Sequence, residues 1–200
     1  MLLLLPVAYL LGTFPSAQLV ARARGHDVLR EGSGNPGASN VYRLAGWRAG
    51  LVVLLADFAK GALPGAAGLV LDGHRGAYLL GFAAVLGHVL PATRRFRGGR
   101  GVATAGGTFA VIYPLISLGL AIAWFLLARV IVKKASVASI AGTIAFPIAV
   151  ALTGNSWADV AITSAIALVV LARHVPNLRR LARGEERGLG PEPPGGTVSP

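Results

Sequence analysis

The segment Gly32-Ser33-Gly34-Asn35-Pro36-Gly37-Ala38-Ser39-Asn40, closed by Arg43, concentrates glycines, short hydrogen-bond donors and one guanidinium. Glycine lets a backbone approach an anion closely, and successive N–H groups form a concave anion cradle. Ser33, Asn35, Ser39 and Asn40 add donors, and Arg43 is able to grip a phosphate with two parallel hydrogen bonds. The chemistry such a loop serves is phosphate binding. Gly32, Gly34 and Gly37 also satisfy the G-x-G-x-x-G pattern, but no strand precedes them and no βαβ unit follows, so the dinucleotide reading is rejected.

Three further stretches carry polar chemistry. Gly98-Gly99-Arg100-Gly101 runs directly into the apolar Val102-Ala103-Thr104, placing glycine amides where a helix N-terminus favours anions. The G-K-[ST] ending of a nucleotide-binding P-loop is absent. Lys133–Ser139 holds Ser136 and Ser139, each a candidate helix cap. Arg173-His174-Val175-Pro176-Asn177 places His174, an acid, a base or a donor, just beyond an apolar run. Asp57 and Lys60 fall inside another apolar run, three residues apart on one helix face, where ionisable groups pair. His88 is a helper of the same kind, and His26 and His74 read as solvent-facing.

These loops need a frame. Of 200 residues, 54% are hydrophobic and 14% charged, too little charge for an ordinary soluble domain. Seven apolar segments are candidate spans: Leu2–Ala21, Ala49–Leu71, Gly76–Pro91, Val102–Tyr113, Leu115–Val132, Ile140–Thr153 and Ala158–Ala172. The third, fourth and sixth are short, so a count of five or six full spans stays open, and Pro114 marks either a turn or a kink. Basic residues alternate lopsidedly between the loops, and Arg75 is the one basic residue opposite the main clusters. The positive-inside rule then gives an outside N-terminus, a cytoplasmic C-terminus, and every Gly- and Arg-rich loop at the cytoplasmic face. The expected fold is an all-α integral membrane bundle of about seven helices over residues 1–183, followed by a disordered tail, 184–200, rich in Gly, Pro and Glu.

Several classes are excluded. The net charge of +11 sits between apolar runs rather than on a soluble face, so nucleic acid is not the partner. With no cysteine, no H-E-x-x-H and no Cys/His ligand spacing, no metal and no cofactor are expected. The G-x-S-x-G nucleophile elbow is missing, and so is the His-to-Asp spacing of thioester-using glycerolipid acyltransferases.

In order and content, the four loops resemble those of the bacterial acyl-phosphate:glycerol-3-phosphate acyltransferases. Asp57-Phe58-Ala59-Lys60-Gly61 and Gly87-His88 share the resemblance, which runs from Gly12 to about Arg180. It implies a multi-pass enzyme of the bacterial inner membrane. That enzyme moves a fatty acyl group from acyl phosphate to the 1-hydroxyl of glycerol 3-phosphate, yielding lysophosphatidate and phosphate. Its partners are the two phosphorylated substrates and membrane lipid. The implied catalytic residues are Ser33, Arg43, Arg100, His174 and Asn177. The implied substrate-binding residues are Gly32, Asn35, Gly37, Ser39, Asn40, Gly98, Gly99, Gly101, Ser136 and Ser139, with Asp57, Lys60 and His88 in support. Arg100 stands where the family usually has Lys, and Lys133-Lys134 replaces a usual Arg-Tyr pair. An organic-phosphate carrier and a non-catalytic family member are the competing readings.

Overall fold

The computed structural model describes residues 1–190, and among them there is no strand. Eight helices follow in chain order: α1 Leu5–Gly12, α2 Ser16–Arg22, α3 Ala38–Val89, α4 Val102–Ile112, α5 Pro114–Leu126, α6 Ala135–Leu152, α7 Trp157–Ala172 and α8 Val175–Ala182. A π turn, Leu127–Ile131, extends α5. Among the described residues, four helical stretches are long and apolar enough to cross a membrane, or five if the bent α7–α8 pair is one span.

The 52-residue α3 is three limbs. Gly46, at φ 83°, breaks off a short leading helix, 38–45; Asp72 and Gly73 leave helical geometry and turn the chain back on itself. The two long limbs then touch closely: a Cβ on Gly68 would lie 2.2 Å from the Gly76 carbonyl oxygen. Pro114 opens α5 after non-helical Tyr113, so that boundary is a break between two helices. The first expected span is likewise interrupted, at Thr13–Pro15, and Pro15 begins α2 as its cap residue.

The short α4 is about 17 Å long at 1.5 Å per residue, against about 30 Å of hydrocarbon. It is sandwiched by both long limbs of α3, and small residues permit the contact. A Cβ on Gly61 would meet the Thr104 oxygen at 1.9 Å, and one on Gly107 the Phe58 oxygen at 2.1 Å. Such small-residue seams are the usual way membrane helices approach. Phe109 and Phe146 stack at 4.1 Å within a core that also takes in Val85, Val89, Ile166 and Val170. By contrast α5 buries no residue, and its Leu115 and Ile122 are 82% and 55% exposed. Its apolar surface faces lipid, which needs no partner helix.

Beneath the polar loops lies a buried ionic cluster. Asp57 Oδ1 accepts from Ser16 Oγ at 2.5 Å and pairs with Lys60 Nζ at 2.7 Å. Lys60 also donates to the Phe14 carbonyl, and His88 Nδ1 lies 3.8 Å from Asp57. The cluster ties the α1–α2 break to both long limbs of α3. Breaking a buried pair from one side leaves a charge without compensation. Asp57→Asn is therefore expected to lower stability by about 3–5 kcal/mol, read as thermal unfolding in detergent. The paired change Asp57→Leu with Lys60→Met, which removes both charges, is expected to cost less.

Candidate active site

The first loop is held by its own side chains. Asn40 Oδ1 accepts from the Ser33 N–H at 2.9 Å, while Asn40 Nδ2 donates to the Val28 and Glu31 carbonyls. Gly32, at φ 59°, lies so near that a Cβ would meet Asn40 Oδ1. Asn40 thus frames the loop instead of offering donors to a ligand, and it is 1% exposed. His26, expected to face solvent, is bonded to Glu31 Oε2 at 2.7 Å. The chain becomes helical at Ala38, after Gly37, so Ser39, Asn40 and Arg43 sit on a helix rather than in a loop. Gly46 hides this short helix from the sequence because it ends the run before span length is reached.

The second loop is packed against the end of α3. Gly99 N–H donates to the His88 carbonyl at 3.1 Å, so that amide is spent on the fold. Gly101, at φ 89°, is the N-cap of α4 and supplies no side chain. The remaining first-turn amides of α4 therefore keep their affinity for an anion. Arg100 lies within the electrostatic reach of Arg43, Arg173, Arg180 and Glu186. Burial, reinforced by the neighbouring arginines and opposed by Glu186, brings its guanidinium down to about 10, so it stays cationic at neutral pH.

His174 occupies the 56° corner between α7 and α8 and is fully buried. Its Nδ1 faces the Val170 carbonyl at 2.8 Å. A carbonyl only accepts, so the proton is on Nδ1, and in the neutral ring Nε2 is an acceptor. Nε2 has no hydrogen-bond partner among the described residues. Asn177, 1% exposed, donates Nδ2 to Glu186 Oε1 at 2.7 Å, which leaves its Oδ1 without a partner among the described residues.

Glu186 corrects the expectation for the tail. Residues 184–190 are fastened to the body: Glu186 binds Asn177 and Arg180, the Gly188 carbonyl accepts from Arg43 Nε at 2.8 Å, and Leu189 N–H donates to the Lys133 carbonyl. The rest of that expected tail, 191–200, lies outside the described residues. Composition alone misses this strap, because its hold is one carboxylate and backbone carbonyls rather than apolar burial. Burial raises the Glu186 pKa, but the nearby Ser136 hydroxyl and the hydrogen bonds from Asn177 and Arg180 outweigh it and hold the group below the ordinary 4.5. A depressed carboxyl contributes stability above its unfolded pKa and loses it as pH falls through the folded one. Protection of 184–190 from hydrogen exchange is thus expected to be constant above pH 4.5 and to fall only below it.

Ser136 and Ser139 do not cap. The N-cap of α6 is Lys134, without a side-chain bond, and both serines lie inside the helix. Ser136 faces the strap carboxylate, whereas Ser139 Oγ accepts from Trp124 Nε1 at 3.0 Å. A cavity of about 640 Å³ is bordered by Ser33 and Asn35 of the first loop, Gly98 and Arg100 of the second, and Arg173 and Asn177 of the fourth. Arg43 and His174 do not line this cavity; both are buried behind it, within electrostatic reach of Arg100, and Ser136 is buried beside Glu186. Asp57, Lys60 and His88 form the ionic cluster described above, on which the second loop rests.

The chain is similar over residues 2–184 to the family described as glycerol-3-phosphate acyltransferase. It is 41% identical to the enzyme of that name from Syntrophotalea carbinolica, covering 92% of this chain and 95% of the relative. It is 42% identical to the one from Aromatoleum aromaticum, covering 94% and 96%. Among solved structures, the integral membrane glycerol 3-phosphate acyltransferase PlsY (YgiH) in its glycerol 3-phosphate form superposes with a TM-score of 0.89. That match has 33% identity and covers 94% of this chain and 95% of that one. The lysophosphatidic acid form of PlsY superposes with a TM-score of 0.86.

Proposed function

Because the chain belongs to the glycerol-3-phosphate acyltransferase family, we propose that it transfers a fatty acyl group from acyl phosphate to the 1-hydroxyl of glycerol 3-phosphate. The observation that carries this reading is one cationic cavity bordered by loops one, two and four, with Arg43 and Arg100 in electrostatic contact. Two phosphorylated substrates suit such a wall. Arg43 and Ser33 serve one phosphate, and Arg100 with the first amides of α4 serves the other. His174 Nε2 and Asn177 Oδ1 are acceptors, so they suit the glycerol hydroxyls rather than phosphate oxygens.

Acyl phosphate carries its own leaving group, so no enzyme nucleophile is required. The acceptor oxygen attacks the carbonyl carbon, the bond from that carbon to the phosphate oxygen breaks, and the hydroxyl proton passes to the departing phosphate. The nearby acidic group is a poor base: Glu186 is held by Arg180 and Asn177 and kept below its ordinary pKa. The enzyme then contributes orientation and charge stabilisation. We place the chain in the bacterial inner membrane with seven crossings and an outside N-terminus. The site is cytoplasmic, and residues 1–183 form the catalytic body. The acyl chain leaves the cavity toward the lipid-facing helices.

The test supplies purified protein with glycerol 3-phosphate and, in turn, acyl phosphate, acyl-CoA and acyl carrier protein thioester. Lysophosphatidate and phosphate in equal amounts from acyl phosphate alone support the proposal. Product from a thioester donor would overturn the donor assignment, and phosphate flux into liposomes without product would favour the carrier.

A further inference from the structure

We propose that Arg173 is a positioning residue that fixes the Gly98–Gly99 segment of the anion site. Its Nη2 donates to the Gly98 carbonyl at 2.9 Å and its Nε to the Gly99 carbonyl at 3.3 Å. The first of those peptide planes is pinned at its other edge too, because Gly99 N–H donates to the His88 carbonyl. Two adjacent glycines have the widest backbone freedom of any dipeptide, and nothing in their own side chains selects one conformation. The selection comes from outside: Arg173 on the carbonyl side, the end of α3 on the amide side. A trans peptide sets N–H and C=O antiparallel, so turning the Gly99 carbonyl toward Arg173 turns the Arg100 N–H away from it. Arg173 therefore sets the direction in which the chain enters Arg100.

The same contact links two parts of the site. Arg173 precedes His174 at the α7–α8 corner, so the guanidinium couples the corner that carries His174 to the loop that carries Arg100. A lysine at this position offers one ammonium, which is able to reach one carbonyl at a time, and loses the fork.

The kinetic part of the test rests on the acyltransferase reading; the structural part does not. Hydrogen exchange of the amides at 98–102 is measured in Arg173→Ala and Arg173→Lys, beside thermal unfolding. Exchange is expected to rise at least about tenfold at the Gly99 amide, the one of these with a backbone partner among the described residues, in the alanine variant, the order of one charge-assisted hydrogen bond, and less in the lysine variant. The KM of one phosphorylated substrate rises by a similar factor while kcat changes less. Unchanged exchange at 98–102, with or without a raised KM, overturns the proposal, because Arg173 would then act only through its charge. If Arg173→Ala does not fold, Arg173→Lys decides: the exchange gain confined to 98–102 supports positioning, and its absence contradicts it.

Discussion

Replacing Gly98 by alanine is expected to lower kcat/KM by about a hundredfold or more, the cost of misplacing a site by roughly an ångström. The added Cβ would lie 2.2 Å from the His88 oxygen and 2.4 Å from the Val89 oxygen. Both are backbone atoms at the end of α3, so neither is able to swing aside as a flexible side chain would. The loop must lift, and Arg100 and the start of α4 lift with it. The buried ionic cluster is left intact, so the protein is expected to stay folded in detergent. Gly106 supplies the control, since a Cβ there meets nothing within 4 Å. Gly106→Ala, in the middle of α4, is expected to keep near-normal activity. Initial rates across both substrate concentrations, beside a thermal melt, check the pair.

The second large effect is expected at Arg43. Arg43→Ala removes a buried guanidinium from behind the cationic wall and is expected to cut kcat/KM by about 10²–10³, the loss typical of one preorganised charge-stabilising donor. Arg43→Lys keeps the charge but not the planar fork, and should fall between the two. Arg43 Nε also holds the strap through the Gly188 carbonyl. Hydrogen exchange over 184–190 therefore separates the two roles. If the lysine variant keeps the strap protected yet remains slow, the rate loss belongs to the phosphate contact.

Much of this was legible in the sequence because membrane physics is strict. The apolar runs at 49–71, 115–132 and 140–153 reappear as helices, since a chain in lipid must satisfy its backbone internally. The pairing of Asp57 with Lys60 follows from the cost of an unpaired ion in that setting and is present at 2.7 Å. The convergence of Ser33, Asn35, Gly98, Arg100 and Asn177 on one cavity agrees with loops clustered at one face. What the sequence concealed depends on contacts between distant segments. Asn40 has the chemistry of a phosphate donor, yet its amide is used up by Ser33, Val28 and Glu31. Gly99 has the amide of an anion cradle, yet gives it to His88. Arg173 looks like one more topology charge until its fork is seen over two glycine carbonyls. Glu186 lies in a stretch whose composition signals disorder, and only the partners Asn177 and Arg180 explain its burial.

The most direct measurement is a structure of this protein with glycerol 3-phosphate bound. The account predicts the phosphate within hydrogen-bond reach of Arg43 and Ser33, with the glycerol hydroxyls on His174 Nε2 and Asn177 Oδ1. A phosphate seated elsewhere, with Arg43 turned from it, would contradict the shared cationic pocket on which the proposed transfer depends.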